Sequence, residues 1–337
     1  MTIRLSVFLS MLIAVTGCVS TSNDAVPPSS PAATAAQTVA AKRGKMKLYS
    51  DTLGDAVVEG IAAGPDGALW FTDSGNGEIG RIATDGTITM QVDISVGVSN
   101  GITAGPDGAL WFTSGGNPAH IGRITTAGIV TIFDDTGGNY PHGITTGPDG
   151  ALWFAESNGS VGRMTTSGHV RHFQVTSSDA ALQGIVTGTD GALWVTQYGI
   201  NFSQLSNQVI RVTTHGKAKS YTVGVGPDFI CVGPDGALWF AEEGSQAIGR
   251  LTTGGAYTDF SLNDRYAQPT GIATGPDGAL WFTDSGGASK IGRMTTSGKL
   301  KRFTVPGDPS VEQITPGPDG KMWFTSPGPP LIGRVNL

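Results

Sequence analysis

Three things are scarce in this sequence. Its 337 residues include only two cysteines, too few for a disulfide framework to hold a small fold together. Charged residues make up 14% of the chain, with 21 Lys and Arg against 27 Asp and Glu, and the net charge of −6 offers no basic footprint for nucleic acid. No stretch places apolar residues at helical spacing, which does not suit a helical enzyme. What the chain has instead is glycine, 51 residues of it, as expected for many short strands joined by tight turns.

The first 17 residues read as an export signal. Met1 to Arg4 is a short positive segment, and the apolar run Leu5 to Val15 is too short to span a bilayer. Ala14-Val15-Thr16-Gly17-Cys18 resembles a bacterial lipobox, so Cys18 is the expected lipidation site. Two or three acyl chains there would give stable anchoring. The expected location is the bacterial cell envelope, periplasmic or surface, and the outer membrane if the source is Gram-negative; the lipid anchor is the only membrane contact anticipated. Residues 18–44, rich in Ser, Thr, Ala and Pro, have no apolar periodicity and read as a flexible tether. With Cys18 acylated, Cys231 has no partner and is expected to be a small buried side chain.

The rest is repetitive. Gly-Pro-Asp-Gly-Ala-Leu-Trp-Phe begins at Gly64, Gly105, Gly147, Gly233 and Gly275, with variants at Gly188 and Gly317. All seven tryptophans fall in this motif, at 70, 111, 153, 194, 239, 281 and 323, and the intervals of 41 to 45 residues belong to a four-stranded propeller blade. The seventh unit ends after Ile332-Gly333-Arg334-Val335 without a fourth strand, while Lys45 to Ser50 parallels the fourth strand at Lys299 to Thr304. The expected fold is therefore all-β: a seven-bladed β-propeller over residues 45–337, closed by the N-terminal strand completing the last blade. The repeated Trp-Phe pairs and arginines occur in every unit and are read as packing between blades.

Function should sit where equivalent positions differ. One variable polar position precedes the first strand's Gly: Glu59, Asn100, His142, Gln183, Asp228, Thr270 and Glu312. A second ends the second strand: Asp73, Ser114, Glu156, Gln197, Glu242, Asp284 and Ser326. The two sets flank one hairpin almost symmetrically, His142 and Glu156 each seven residues from Asp149, so they are expected to be cross-strand neighbours, forming two rings of seven carboxylates and one imidazole around one mouth. Oxygen ligands of this kind suit Mg²⁺ or Ca²⁺, and Glu59, Glu156 and Glu242 are candidate metal ligands. His142, the sole histidine of the rings, is the candidate base, with Glu156 its expected neighbour and its pKa expected to rise beside so many carboxylates. The long connection Gln197 to Gln208 in the fourth unit is expected to overhang the mouth.

The Ala-Leu-Trp-Phe-Thr and Ile-Gly-Arg-Ile-Thr-Thr segments resemble the virginiamycin B lyase (streptogramin lyase) family of seven-bladed propellers, over roughly residues 46–337. The resemblance implies elimination at the ester of a cyclic depsipeptide: a histidine takes the proton α to a carbonyl, a carboxylate leaves the β-carbon, and Mg²⁺ stabilises the developing enolate. The family's Glu-Pro-His and following Trp-Phe-Ala-x-Glu correspond to Tyr140-Pro141-His142 and Trp153-Phe154-Ala155-Glu156. On this resemblance His142 is the base, Glu156 a metal ligand, and Tyr140 and Asn100 substrate-facing positions where the family has Glu and His. A monomer taking a small cyclic peptide in the funnel follows. A non-catalytic surface lipoprotein that binds a peptide, glycan or protein partner, and a metal-dependent lactonase or other hydrolase, remain the alternative readings.

Overall fold

The structure, a computed structural model, describes residues 46–50, 56–98, 101–115, 118–135, 139–200 and 204–336. The signal segment, the tether, Cys18 and Asn100 lie outside the described residues. Among those described there is no helix; 28 strands form seven four-stranded antiparallel sheets. Blades are numbered here by the order of their tryptophans, from Trp70 to Trp323.

Blade 3 shows how the motif makes a blade. Strands Pro141–Thr146, Leu152–Glu156, Ser160–Met164 and Val170–Gln174 pair in chain order. The first hairpin turns at Gly147-Pro148-Asp149-Gly150, where the Gly150 N–H donates to the Gly147 carbonyl and Gly150 has a φ of 70°. That left-handed conformation is why glycine closes the turn. Asp149 then reaches in two directions. Its Oδ1 accepts the indole N–H of Trp153 at 2.9 Å and its Oδ2 accepts Nε of Arg163 at 2.6 Å.

The same Asp–Trp–Arg arrangement recurs in every blade, with indole contacts of 2.9–3.1 Å and guanidinium contacts of 2.5–2.7 Å. All seven indoles are fully buried. The repeated arginines are therefore structural: each guanidinium neutralises the aspartate that holds a core indole. Asp235→Ala, which strands the Trp239 N–H and leaves Arg250 unpaired, is expected to cost about 3 kcal/mol in urea unfolding, because an orphaned buried donor loses its full solvation. A cost under about 0.5 kcal/mol would reduce the triad to a surface ion pair.

Closure follows the expected route. Met46–Ser50 lies antiparallel to Pro330–Val335, with Met46 opposite Val335 and Ser50 opposite Leu331, and supplies the outer strand of blade 7. The first strands of the seven blades pack against one another around the ring. They enclose an axial cavity of about 100 Å³ lined by Ile61, Ile102, Ile144, Ile185 and Ile230 among others. Gly101, Gly143, Gly184, Phe229 and Gln313 complete the lining, so the waist exposes backbone and amide groups as well as isoleucine. Cys231 is free and packs at the margin of the core around Trp239 and Leu262.

Candidate active site at the propeller axis

The backbone at the mouth is held across blade boundaries. Thr113 donates to the His142 carbonyl at 2.9 Å, Thr196 to that of Asp228 at 2.6 Å, Thr283 to that of Glu312 at 2.6 Å and Thr325 to that of Glu59 at 2.5 Å. Each of these four chemically distinctive residues is thus positioned by the preceding blade. The glycine after the variable position lets neighbouring strands come this close: a Cβ on Gly101 would lie 2.1 Å from the His142 carbonyl oxygen.

The symmetric hairpin expected from sequence does not form. A bulge interrupts the first ladder: Pro141 pairs with Glu156 and Ile144 with Phe154 in blade 3, and blades 1, 5 and 6 do the same. Two residues, His142 and Gly143, oppose the single Ala155, and a one-residue slip changes which face a side chain takes. Asp73, Glu156, Glu242 and Asp284 consequently leave the mouth and are fully buried within their blades. Each accepts the N–H of the loop entering the first strand, from Val57, Asn139, Gly224 and Gln268 respectively, at 2.9–3.1 Å. Their job is to anchor that loop.

The expected His142–Glu156 pair is accordingly absent. His142 Nε2 meets Ser157 Oγ at 2.7 Å, and Ser157 Oγ lies 3.4 Å from the Tyr140 carbonyl. Tyr140 itself is half exposed, with a φ of 44°. Glu242 is occupied: Tyr257 OH donates to its two oxygens at 2.8 and 3.0 Å, and Gly224 N–H to Oε1. The true second ring is the residue after each expected one. Two of its members escaped the sequence reading, Tyr198 and Glu243, whose side chains meet at 2.5 Å across the boundary of blades 4 and 5. The polar variation Ser74, Ser157, Tyr198, Glu243, Ser285 was the available signal. The long connection of blade 4 is a strand extension, with Gln197 opposite Gln208 and Ile200 opposite Gln204.

Among the described residues four carboxylates remain at the mouth: Glu59, Asp228, Glu243 and Glu312. Burial, then the Glu312 and Glu243 charges, push Asp228 well above the usual carboxylate range. Burial, then the Glu59 and Glu243 charges, push Glu312 up to about 7. Burial also raises Glu59, against a hydrogen bond from Ser74. Asp228 is 6% exposed and its Oδ1 is buried without a hydrogen-bond partner. His142 moves opposite to expectation: burial, not charge, dominates and lowers it to about 4. It is neutral at physiological pH, and Nδ1 makes no hydrogen bond to the described residues.

Glu312 carries a stability signature. Its folded pKa lies above the ordinary 4.5, so the stabilisation from holding this proton is full below pH 4.5 and lost as pH rises through about 7. Glu312→Gln is expected to gain about 2 kcal/mol at pH 8, discounted for partial exposure, and to change little at pH 4.5. Equal effects at both pH values in urea titrations would contradict this electrostatic picture.

A second cluster lies within the blades. Glu156 Oε2 is 3.0 Å from His172 Nδ1, and His172 Nε2 is 3.2 Å from Asp135 Oδ1. The ligating atoms of these three residues lie within 4.8 Å of one another, a grouping able to hold a metal ion. The two flanking carboxylates, Asp135 first, raise His172 to about 10. His172 lies on the outer strand Val170–Gln174. Its register opposite Gly162 lets the ring pass over the third strand toward Glu156.

Fold and site together define a seven-bladed propeller whose axial mouth sets one neutral imidazole against four carboxylates. A model of the virginiamycin B lyase family matches the chain twice, over residues 38–204 and 171–337, and the chain belongs to that family. A solved streptogramin B lyase is 28% identical, aligned over 86% of this chain and 96% of that one, with a TM-score of 0.78. A catalytically inactive His-to-Ala variant of the virginiamycin B lyase from Staphylococcus aureus, solved with quinupristin, is 31% identical over 87% of this chain and 99% of its own, with a TM-score of 0.79. The WD40 propeller domain of Doa1, 12% identical at a TM-score of 0.65, shares the fold alone. No curated protein matches the sequence.

Proposed function

We propose that this protein opens a cyclic depsipeptide of the type B streptogramin class by β-elimination at its ester, with His142 as the base. The observation that carries the reading is the neutral His142 imidazole fixed at the axial mouth. With Nε2–H donated to Ser157 Oγ, the Nδ1 lone pair takes the proton α to the carbonyl. The C–H electrons form the new C=C bond, the β-carbon–oxygen bond breaks, and the ester leaves as a carboxylate with the product mass unchanged. Asp228, whose carboxyl pKa is pushed up by burial, lines the same mouth.

Mg²⁺, or Ca²⁺, is the ion the family resemblance implies. Of the residues expected to hold it, Glu59 alone faces the mouth, and the orphaned Oδ1 of Asp228 fits a cation among Glu59, Glu243 and Glu312. Bound there, a divalent ion would neutralise enolate charge. Tyr140 and Asn100 stand at substrate-facing positions of the family pattern, and Tyr140, half exposed beside His142, is placed to pack on a peptide ring. Export and lipid anchoring through Cys18 would put this activity in the cell envelope, where an antibiotic first meets the cell.

The test is mass spectrometry and absorbance on a type B streptogramin incubated with the full chain and Mg²⁺. The expected product has unchanged mass and a new conjugated absorbance, and is lost in His142→Ala. A product heavier by one water would instead make the protein a hydrolase. An untouched antibiotic would remove this activity and leave a peptide-binding surface protein.

A further inference from the structure

We propose that Asp135, Glu156 and His172 bind one divalent transition-metal ion of mixed nitrogen and oxygen preference, of the Zn²⁺ or Mn²⁺ kind, at the boundary of blades 2 and 3 and apart from the axial mouth. The site is marked by one departure from the repeat and one variable position that converge on one point. Asp135 closes the outer strand of blade 2, its N–H donating to the Ala119 carbonyl; the residues making the same bond elsewhere are Ile94, Val175, Val223, Leu262 and Val305. A carboxylate thus replaces an aliphatic side chain at a position that is mostly buried, and Asp135 is itself only 4% exposed. His172 sits opposite the third strand's Gly162, at a position that varies among the other blades: Gln91, Ile132, Ser220, Asp259, Arg302 and Leu48. The carboxylate at the aliphatic position and the imidazole at the variable one both come to Glu156.

The cluster is also incompletely satisfied by protein. His172 Nε2 and Asp135 Oδ1 face each other at 3.2 Å as an ion pair outside hydrogen-bond geometry, and Asp135 Oδ2 is buried with no partner. Buried polar atoms normally find partners, and orphans in a native site call for an ion or water. Two carboxylates and an imidazolium sum to −1, whereas two carboxylates, a neutral imidazole and a divalent ion sum to zero, which suits a buried site. The donor set chooses the metal class: imidazole nitrogen suits Zn²⁺, the two carboxylates also admit Mn²⁺, and Mg²⁺ and Ca²⁺ prefer oxygen throughout. Through Glu156 Oε1, which holds the Asn139 N–H at 3.1 Å, the ion would staple the loop that presents Tyr140 and His142. The inference does not depend on the elimination reaction, since binding alone tests it.

The experiment is titration calorimetry of the chelator-stripped full chain with Zn²⁺ and, separately, Mn²⁺. With excess Mg²⁺ present to occupy the mouth, one Zn²⁺ or Mn²⁺ per chain is expected, with affinity at least tenfold weaker in Asp135→Asn and His172→Gln and retained in Glu59→Gln, which alters the mouth. The absence of stoichiometric binding by either metal would overturn the proposal, leaving an imidazolium clamp between two carboxylates. Binding lost in Glu59→Gln but kept in the other two variants would overturn it in favour of the mouth. Should the variants fail to fold, X-ray absorption of the Zn²⁺-loaded wild-type chain decides: one imidazole nitrogen with carboxylate oxygens is expected, and coordination without imidazole contradicts the site.

Discussion

A chain beginning at Ala56, without the strand Met46–Ser50, is expected to be insoluble or to unfold cooperatively at least 10 °C below the intact chain. Every other outer strand is tied to its blade by a hairpin, whereas this one joins the first and last blades. Met46 and Tyr49 are 6% and 8% exposed, and the Tyr49 ring stacks on Trp323 at a centroid distance of 5.5 Å. Burying two side chains of that size is worth roughly 1.5–3 kcal/mol each, and the ladder hydrogen bonds add about 1 kcal/mol apiece. The sum rivals a typical total stability of 5–15 kcal/mol. The truncation would also leave Pro330–Val335 as an open edge, a template for aggregation. A rescue distinguishes lost closure from simple damage. Met46 lies opposite Val335, so the sequence Met46–Ser50 appended after Leu337 through a turn like Thr295–Gly298 should restore the melting temperature. Failure of that permuted chain, with the truncated chain folding normally, would sink the closure argument.

His142→Ala is expected to lower kcat/KM for ring opening by 10²–10⁴-fold, the usual contribution of a positioned base, while leaving the fold intact. The pH profile separates this base from any other histidine. An ordinary imidazole titrates near 6.5, but burial brings His142 to about 4. Activity that needs the neutral ring should therefore hold from neutral pH down to about pH 5 and fall only near pH 4. The same shift has a stability consequence of fixed sign. The unfolded chain takes up this proton below about 6.5 and the folded chain does not until about 4, so the stabilisation is present above 6.5 and lost as pH falls toward 4. A rate limb near 6.5, or wild-type rates in His142→Ala, would assign the base elsewhere. Ser157→Ala should fall between the two, since it frees the ring without removing it.

The blade count, the hairpin turns and the closing strand were all legible in the sequence, because they depend on local chemistry repeated seven times. Pro and Gly set the turn, the tryptophans mark each blade, and a seventh unit one strand short can be completed only by the strand at the other end. His142 was legible for a related reason: a repeat displays its exceptions. Which carboxylates surround it was not. A bulge adds one residue to the first strand, and with side chains alternating every residue that is enough to move Asp73, Glu156 and Glu242 off the mouth and to bring Ser157, Tyr198 and Glu243 onto it. The direction of the His142 shift also escaped composition, since it turns on whether burial outweighs distant charge. Asp135 and His172 lie 37 positions apart, and only the packing of blade 2 against blade 3 makes them neighbours. The sequence by itself determined the ring and its one unusual imidazole; the tertiary structure decided which side chains share a face, because register and inter-blade contact are properties of the closed sheet array and not of any single repeat.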